Sequence, residues 1–229
     1  MHRTGMESMK KTLAVIGGTG DLGSGLAKRW AEAGYAIILG SRDSAKAEAA
    51  AQAMRAELVE KGVAQSDLRG MDNLAAAQAG ELVVLTVPFS QQRPMLEQIR
   101  PALDGKILVD VTVPLVPPKV MRVQLPAEGS AGVLAQQLLG DSVRVVSAFQ
   151  NVAAHHLQAG NRDVCDVLVC GDSKDARAEV VELVDAIGLR GLHAGSINNS
   201  AAAEALTSLL IFMNKHYGGH AGIRITGLD

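Results

Sequence analysis

The sequence predicts an α/β protein: a Rossmann-type, doubly wound, mostly parallel sheet followed by a small C-terminal α/β lobe. Short aliphatic and β-branched runs alternate with longer stretches of helical spacing, and most of the runs stop at Gly or Pro. The first run opens directly into a glycine-rich turn, Gly17-Gly18-Thr19-Gly20. Hydrophobic residues make up 48% of the 229 positions, enough to build a sizeable core. The length suits one nucleotide-binding domain over 11–115 and a smaller lobe over 130–229.

Thr12–Ile16 reads as a buried parallel strand because it is apolar throughout rather than alternating. Leu22, Leu26 and Trp30 recur at helical spacing up to Ala33, and Gly34 supplies the stop. Ala36–Leu39 is the second strand. Asp43–Lys61, rich in Ala, Glu and Lys, is a helix closed by Gly62. Gly70–Ala79 is a short strand or turn with a brief helix. Glu81–Val87 and Lys106–Val113 are strands closed by Pro88 and Pro114, with a helix over Ser90–Leu103 between them. The Pro-rich Val116–Gly129 is a loop and holds any domain boundary. Beyond it come a helix (Gly132–Leu139), two strands (Val143–Phe149, Val164–Cys170), a helix (Ala176–Ile187), a short strand (Leu189–Ala194) and a last amphipathic helix (Ala201–Lys215).

Composition removes several function classes. Aromatics are 3% and net charge is −2 with no basic run, which disfavours base stacking, phosphate-backbone binding and membrane-surface attraction. No apolar run approaches the ~20 residues a membrane span needs. Met1–Lys11 is polar and lacks a signal-peptide core, and Met6 and Met9 offer later starts. Two cysteines, Cys165 and Cys170, read as small buried hydrophobes in a reducing, cytoplasmic setting.

The chemistry-bearing motif is Gly18-Thr19-Gly20-Asp21-Leu22-Gly23, a G-x-G-x-x-G between a strand and a helix. Gly18 permits the tight turn, Gly20 lets backbone approach a pyrophosphate, and Gly23 allows close helix–strand packing. The helix start then offers free N–H groups to phosphate. An NAD site places a carboxylate at the tip of the second strand; this chain has Gly40-Ser41-Arg42, with Lys46 a turn into the next helix. Ser41, Arg42 and Lys46 suit a 2′-phosphate, which points to NADP(H). Thr86-Val87-Pro88 and Thr112-Val113-Pro114 stand at strand carboxyl ends, where open α/β sheets bind ligands.

The order GGTGDLGSGLA, LGSR–AKA, LTVPF, LVDVTVPL, VVSAFQNVAAHHL, LVCGD and EALTSLLIFMN resembles the deazaflavin-dependent NADP reductases, or coenzyme F420:NADP oxidoreductases, across nearly the whole chain from Lys11. The resemblance implies hydride transfer between NADP(H) and the 5-deazaflavin of F420 stacked over the nicotinamide. It implies cofactor contacts at Thr19, Gly20, Asp21, Leu22, Ser41, Arg42, Lys46, Thr86, Val87 and Pro88, with the second half completing the deazaflavin cleft in a homodimer. Where the family carries a His after SAF or SAL, this chain has Gln150, which bonds but carries no charge. Gln150 is the expected contact to the small-molecule hydride acceptor or donor, and a flavin or ferric chelate stays open as that acceptor.

No metal-spaced His/Cys cluster and no nucleophile elbow appear. His155 and His156, being adjacent, point about 100° apart on a helix and make a poor joint ligand pair. Asn198-Asn199-Ser200 reads as a loop and N-cap. Direct ring-to-ring hydride transfer needs position more than acid–base groups, which suits this inventory. Two alternatives stay open: an NADPH-dependent imine or hydroxyacid reductase, although such families append a long helical domain, and a non-catalytic NADP-sensing Rossmann protein.

Overall fold

A computed structural model of the chain describes residues 10–63, 67–162 and 164–228. Met6 and Met9, the alternative starts, lie outside the described residues. The elements are β1 (Leu13–Ile16), α1 (Asp21–Glu32), β2 (Ile37–Ser41), α2 (Ser44–Glu60), β3 (Leu68–Asp72), α3 (Asn73–Ala79), β4 (Leu82–Leu85) and α4 (Phe89–Ile99). After a single 3₁₀ turn at Arg100–Ala102 come β5 (Ile107–Asp110), α5 (Ala131–Leu139), β6 (Arg144–Ser147), α6 (Ala154–Gln158), β7 (Asp166–Gly171), α7 (Lys174–Ala186) and β8 (Arg190–His193). A second 3₁₀ turn, Ile197–Asn199, leads into α8 (Ser200–Tyr217).

One sheet carries all eight strands in the order β3-β2-β1-β4-β5-β6-β7-β8. Every pairing is parallel except β6–β7. Chain direction along the sheet reverses between β1 and β4: β2 and β3 extend to one side, β5 and β6 to the other. The strand ends at this switch point leave a crevice of the kind that takes dinucleotides. β1, β2, β4 and β5 are buried along their full length, which is why they read as continuous apolar runs.

Two cores sandwich the sheet. One joins Leu26, Trp30, Leu58, Leu183 and Phe149 beneath α1, α2 and α7. The other joins Ile16, Ile38, Leu96, Leu108 and Ile197 beneath α3, α4 and α5. α1 ties the early strands to the later ones: Trp30 Nε1 donates to Leu183 O at 2.9 Å, Arg29 donates to Ile187 O, and the Trp30 ring meets Phe149 edge-on at 5.7 Å.

Several boundaries differ from the sequence reading. The strand expected over Lys106–Val113 ends at Asp110, because Thr112 turns back to bond the Asp110 carboxylate. The helix expected over Ser90–Leu103 stops at Ile99 and tightens into the 3₁₀ turn around Pro101. The five-residue α6 has no counterpart in the sequence reading. Asn199 occupies the N-cap of α8 but makes no side-chain cap; its Nδ2 donates to Ala194 O at 2.7 Å instead.

Candidate functional site

The turn after β1 shows why it is built of glycine. Gly17 has φ +77°, a conformation that disfavours side chains, and a Cβ on Gly18 would lie 2.7 Å from Val15 O. The conformational demand therefore falls on Gly17, not on Gly18 as the motif suggested; Gly18 is required for space. A Cβ on Gly23 would lie 2.5 Å from Thr86 Oγ1, the close helix–strand approach expected there. A Cβ on Gly20 would meet only Gly17 O, at 3.5 Å, so the backbone faces open space. α1 starts after Gly20, its N-cap, with no side-chain cap, which leaves its first-turn N–H groups without partners among the described residues.

A cavity of about 290 Å³ opens at the ends of β1, β2 and β4. Thr19, Gly20, Ser41, Arg42, Lys46, Thr86, Val87 and Pro88 all line it, together with Gly17, Asn73, Gln91 and Met95. Gly18 lines a neighbouring hollow between α1 and α2 and shares Thr19 with the first. Asp21 and Leu22 form the first turn of α1, behind the glycine turn. Arg42 and Lys46 are exposed and form no salt bridge among the described residues. Asp43, the carboxylate next to Arg42 in sequence, caps α2 by accepting from Lys46 N at 3.1 Å. Ser41 Oγ accepts from Asp43 N at 3.3 Å. Thr86 Oγ1 donates to Ile16 O at 2.8 Å and locks the ends of β1 and β4 together.

The residues present fit a dinucleotide phosphate. First-turn amides without partners among the described residues are the donors that a pyrophosphate needs. Two unpaired cations and a hydroxyl stand at the tip of β2, where a 2′-phosphate sits in this class of fold. The described residues contain no group of His, Cys, Asp or Glu able to hold a metal ion. His155 stacks on His220 at 4.2 Å, and His156 Nε2 lies 2.7 Å from His220 O, so this cluster packs the C-terminal tail. Cys165 and Cys170 are free and buried, and burial pushes both thiols up to about 11, far from a reactive thiolate at neutral pH.

Below the switch point lies a buried polar network that the sequence reading missed. Asp110, at the tip of β5, accepts from Thr112 N at 2.9 Å and Thr112 Oγ1 at 2.6 Å. Gln92 Nε2 donates to Asp110 Oδ2, Thr112 Oγ1 and Ala131 O. Burial raises the Asp110 carboxyl above its ordinary value. Glu204 of α8 accepts from Ala131 N at 2.7 Å and Gly132 N at 3.0 Å at the start of α5. Burial pushes Glu204 up to about 7, against the pull of those bonds. The one legible signal was Asp110 itself, a carboxylate inside the apolar run LVDV.

Gln150 adjoins this network. Its Nε2 donates to Asp110 O and to Ser147 Oγ, each at 2.9 Å, while Oε1 is buried without a partner. The preceding Phe149 holds φ +73°, the left-handed region that a bulky residue adopts only when its surroundings impose it. Asn151 Nδ2 donates to Ala203 O at 2.8 Å, so the turn after β6 is fastened to α8. Gln150 also borders a small hollow of about 140 Å³ against α8, separate from the lining of the larger cavity.

Strand order, glycine turn and switch-point cavity together define a dinucleotide-binding Rossmann protein. A family model described as NADP oxidoreductase, coenzyme F420-dependent, matches residues 12–114. The F420-dependent NADP reductase of Methanocaldococcus jannaschii is 40% identical over 223 residues, which is 95% of this chain and 99% of that protein. The F420-dependent NADP reductase of Methanothermobacter marburgensis is also 40% identical, over 94% of this chain and 98% of its own. The chain belongs to the F420-dependent NADP reductase family. A crystal structure described as a putative F420-dependent NADP reductase from an Arthrobacter species superposes with a TM-score of 0.72, covering 92% of this chain and 96% of its own; at 24% identity it bears on the fold alone.

Proposed function

We propose that this protein is an oxidoreductase that moves a hydride between NADP(H) and coenzyme F420. The observation that carries the reading is the tip of β2: Arg42 and Lys46 stand there without an ion pair among the described residues, and the adjacent carboxylate, Asp43, is turned to the helix N-terminus as its cap. Residues 11–115 would form the cofactor-binding part and 130–229 the smaller lobe that completes the acceptor site.

When bound, the nicotinamide and deazaflavin rings supply the redox chemistry, and the chain supplies binding, orientation and a dry site. The α1 amides behind Gly20, with Asp21 and Leu22 in that first turn, face the pyrophosphate. Arg42 and Lys46 would neutralise the 2′-phosphate, and Ser41 would hydrogen-bond it. Thr86, Val87 and Pro88 would shape the nicotinamide wall, and Gln150 would contact the acceptor from the β5 end. No proton need move at a side chain, which fits a site with neither a nucleophile nor a paired acid and base among its lining residues.

The partner is a small molecule rather than a macromolecule. No helix among the described residues is long and apolar enough to cross a membrane. Two free buried thiols suit a reducing, cytoplasmic setting. Leu209, Phe212, Met213 and Tyr217 are exposed on α8, and such a row of apolar side chains suits association of two copies into a homodimer.

Titration calorimetry tests the cofactor half. NADPH is expected to bind at least about tenfold more tightly than NADH, and Arg42→Ala to remove most of that preference while leaving NADH binding near its wild-type value. Equal affinity for both cofactors in the wild-type protein would overturn the reading.

A further inference from the structure

Asn73 is the first residue of α3, placed where β2 and β3 end side by side with Ser41 in register with Asp72. The helix asks nothing of its side chain, because Asp72 caps α3 by accepting from Leu74 N and Ala75 N, each at 3.0 Å. Asn73 is 1% exposed, yet it is part of the lining of the switch-point cavity. Its Oδ1 is buried and accepts no hydrogen bond, and its Nδ2 donates to no group among the described residues. Gly40 leaves the amide its room: a Cβ there would lie 3.0 Å from Asn73 Oδ1.

A carbonyl oxygen held dry and unpaired weakens the fold, since water satisfied it in the unfolded chain. Such a group persists where a ligand completes it. We propose that Asn73 is a further cofactor-recognition residue whose carboxamide hydrogen-bonds the adenosine ribose that carries the 2′-phosphate. The proposal rests on the NADP(H) reading above. A carboxamide offers one acceptor and two donors with no net charge. It therefore reads a ribose hydroxyl or a phosphate oxygen without repelling the phosphate that Arg42 and Lys46 attract. A carboxylate of the same shape at position 73 would repel it.

The test compares wild type, Asn73→Leu and Asn73→Asp. NADPH, NADH and 2′-phospho-ADP-ribose, which lacks the nicotinamide, are titrated into each, and Tm is measured without ligand. Asn73→Leu is expected to weaken NADPH and 2′-phospho-ADP-ribose by about tenfold, the loss of one to two hydrogen bonds. Its ligand-free Tm is expected to hold or rise, because an unpaired carbonyl oxygen has left the interior. Asn73→Asp is expected to weaken NADPH more than NADH. Should Asn73→Leu fail to fold, Asn73→Ser, too short to span the gap, is expected to show the same loss of affinity. Wild-type affinity for NADPH in these variants, with the wild-type protein binding normally, overturns the role of Asn73 alone. A wild-type protein that does not bind NADPH overturns the cofactor reading and this proposal with it.

Discussion

At Gly23 the helix lies so close to β4 that an added Cβ would sit 2.5 Å from Thr86 Oγ1 and 2.9 Å from Gly17 O. Neither neighbour is free to yield: Thr86 Oγ1 is bonded to Ile16 O, and Gly17 is held in its turn by bonding Gly40 O. Gly23→Ala should therefore cost about 1–3 kcal/mol, the usual scale of overpacking. The check is a denaturant midpoint; a variant as stable as wild type would show that the turn is softer than these contacts imply. Arg42, Lys46 and the glycines could be picked out from sequence because their meaning is local, a few residues around one strand end. Asn73 and Glu204 could not. A lone Asn before an Ala-rich helix looks like a surface residue, and only the three-dimensional neighbours show that its amide has no partner.

α5 and α8 are held together through a carboxylate. Glu204 reaches across to the first two N–H groups of α5, and Ser200 Oγ bonds Ser130 Oγ at 2.7 Å beside it. Burial raises Glu204 from an ordinary value of 4.5 to about 7. Between those values the folded protein keeps a proton that the unfolded chain has released, so stability falls as pH rises across this window and levels off above it. The size of the effect is about 3 kcal/mol. Glu204→Gln should flatten that part of the Tm-against-pH curve, and the remaining slope belongs in part to Asp110, which is raised in the same direction. An unchanged slope in the variant would show that Glu204 is not the titrating group. The elements of the first half were easier to place from sequence than these ties. A run such as LAVI marks a buried strand, but hydrophobicity carries no sign of direction. β7 nonetheless runs antiparallel to β6, and the connection between them carries α6, which packs on α1 where Gly25 leaves room for Leu157. A five-residue helix is shorter than the period needed to detect it.

The molecule as a whole is one sheet with a switch point at its centre, and the cofactor cavity opens where β1 and β4 diverge in connectivity. The second half is bound to that frame by α1, through Arg29 and Trp30 on α7, and by the tail, where Arg190 and Ile225 N both bond the Asp166 carboxylate. Fold class and cofactor type were legible because both are written in strand–turn–helix grammar. Gln150 could be named from sequence as the expected acceptor contact, but its bond to Asp110 O, 40 residues earlier in the chain, could not. The central claim is tested most directly by mixing the purified protein with oxidised F420 and NADPH labelled with deuterium on the transferring face of C4, without oxygen. The account predicts that the deazaflavin is reduced, that deuterium appears on its C5, and that NADH in place of NADPH reacts at least about tenfold less efficiently at equal concentration. Reduction without label transfer, or no reduction by NADPH while the cofactor binds tightly, would contradict it.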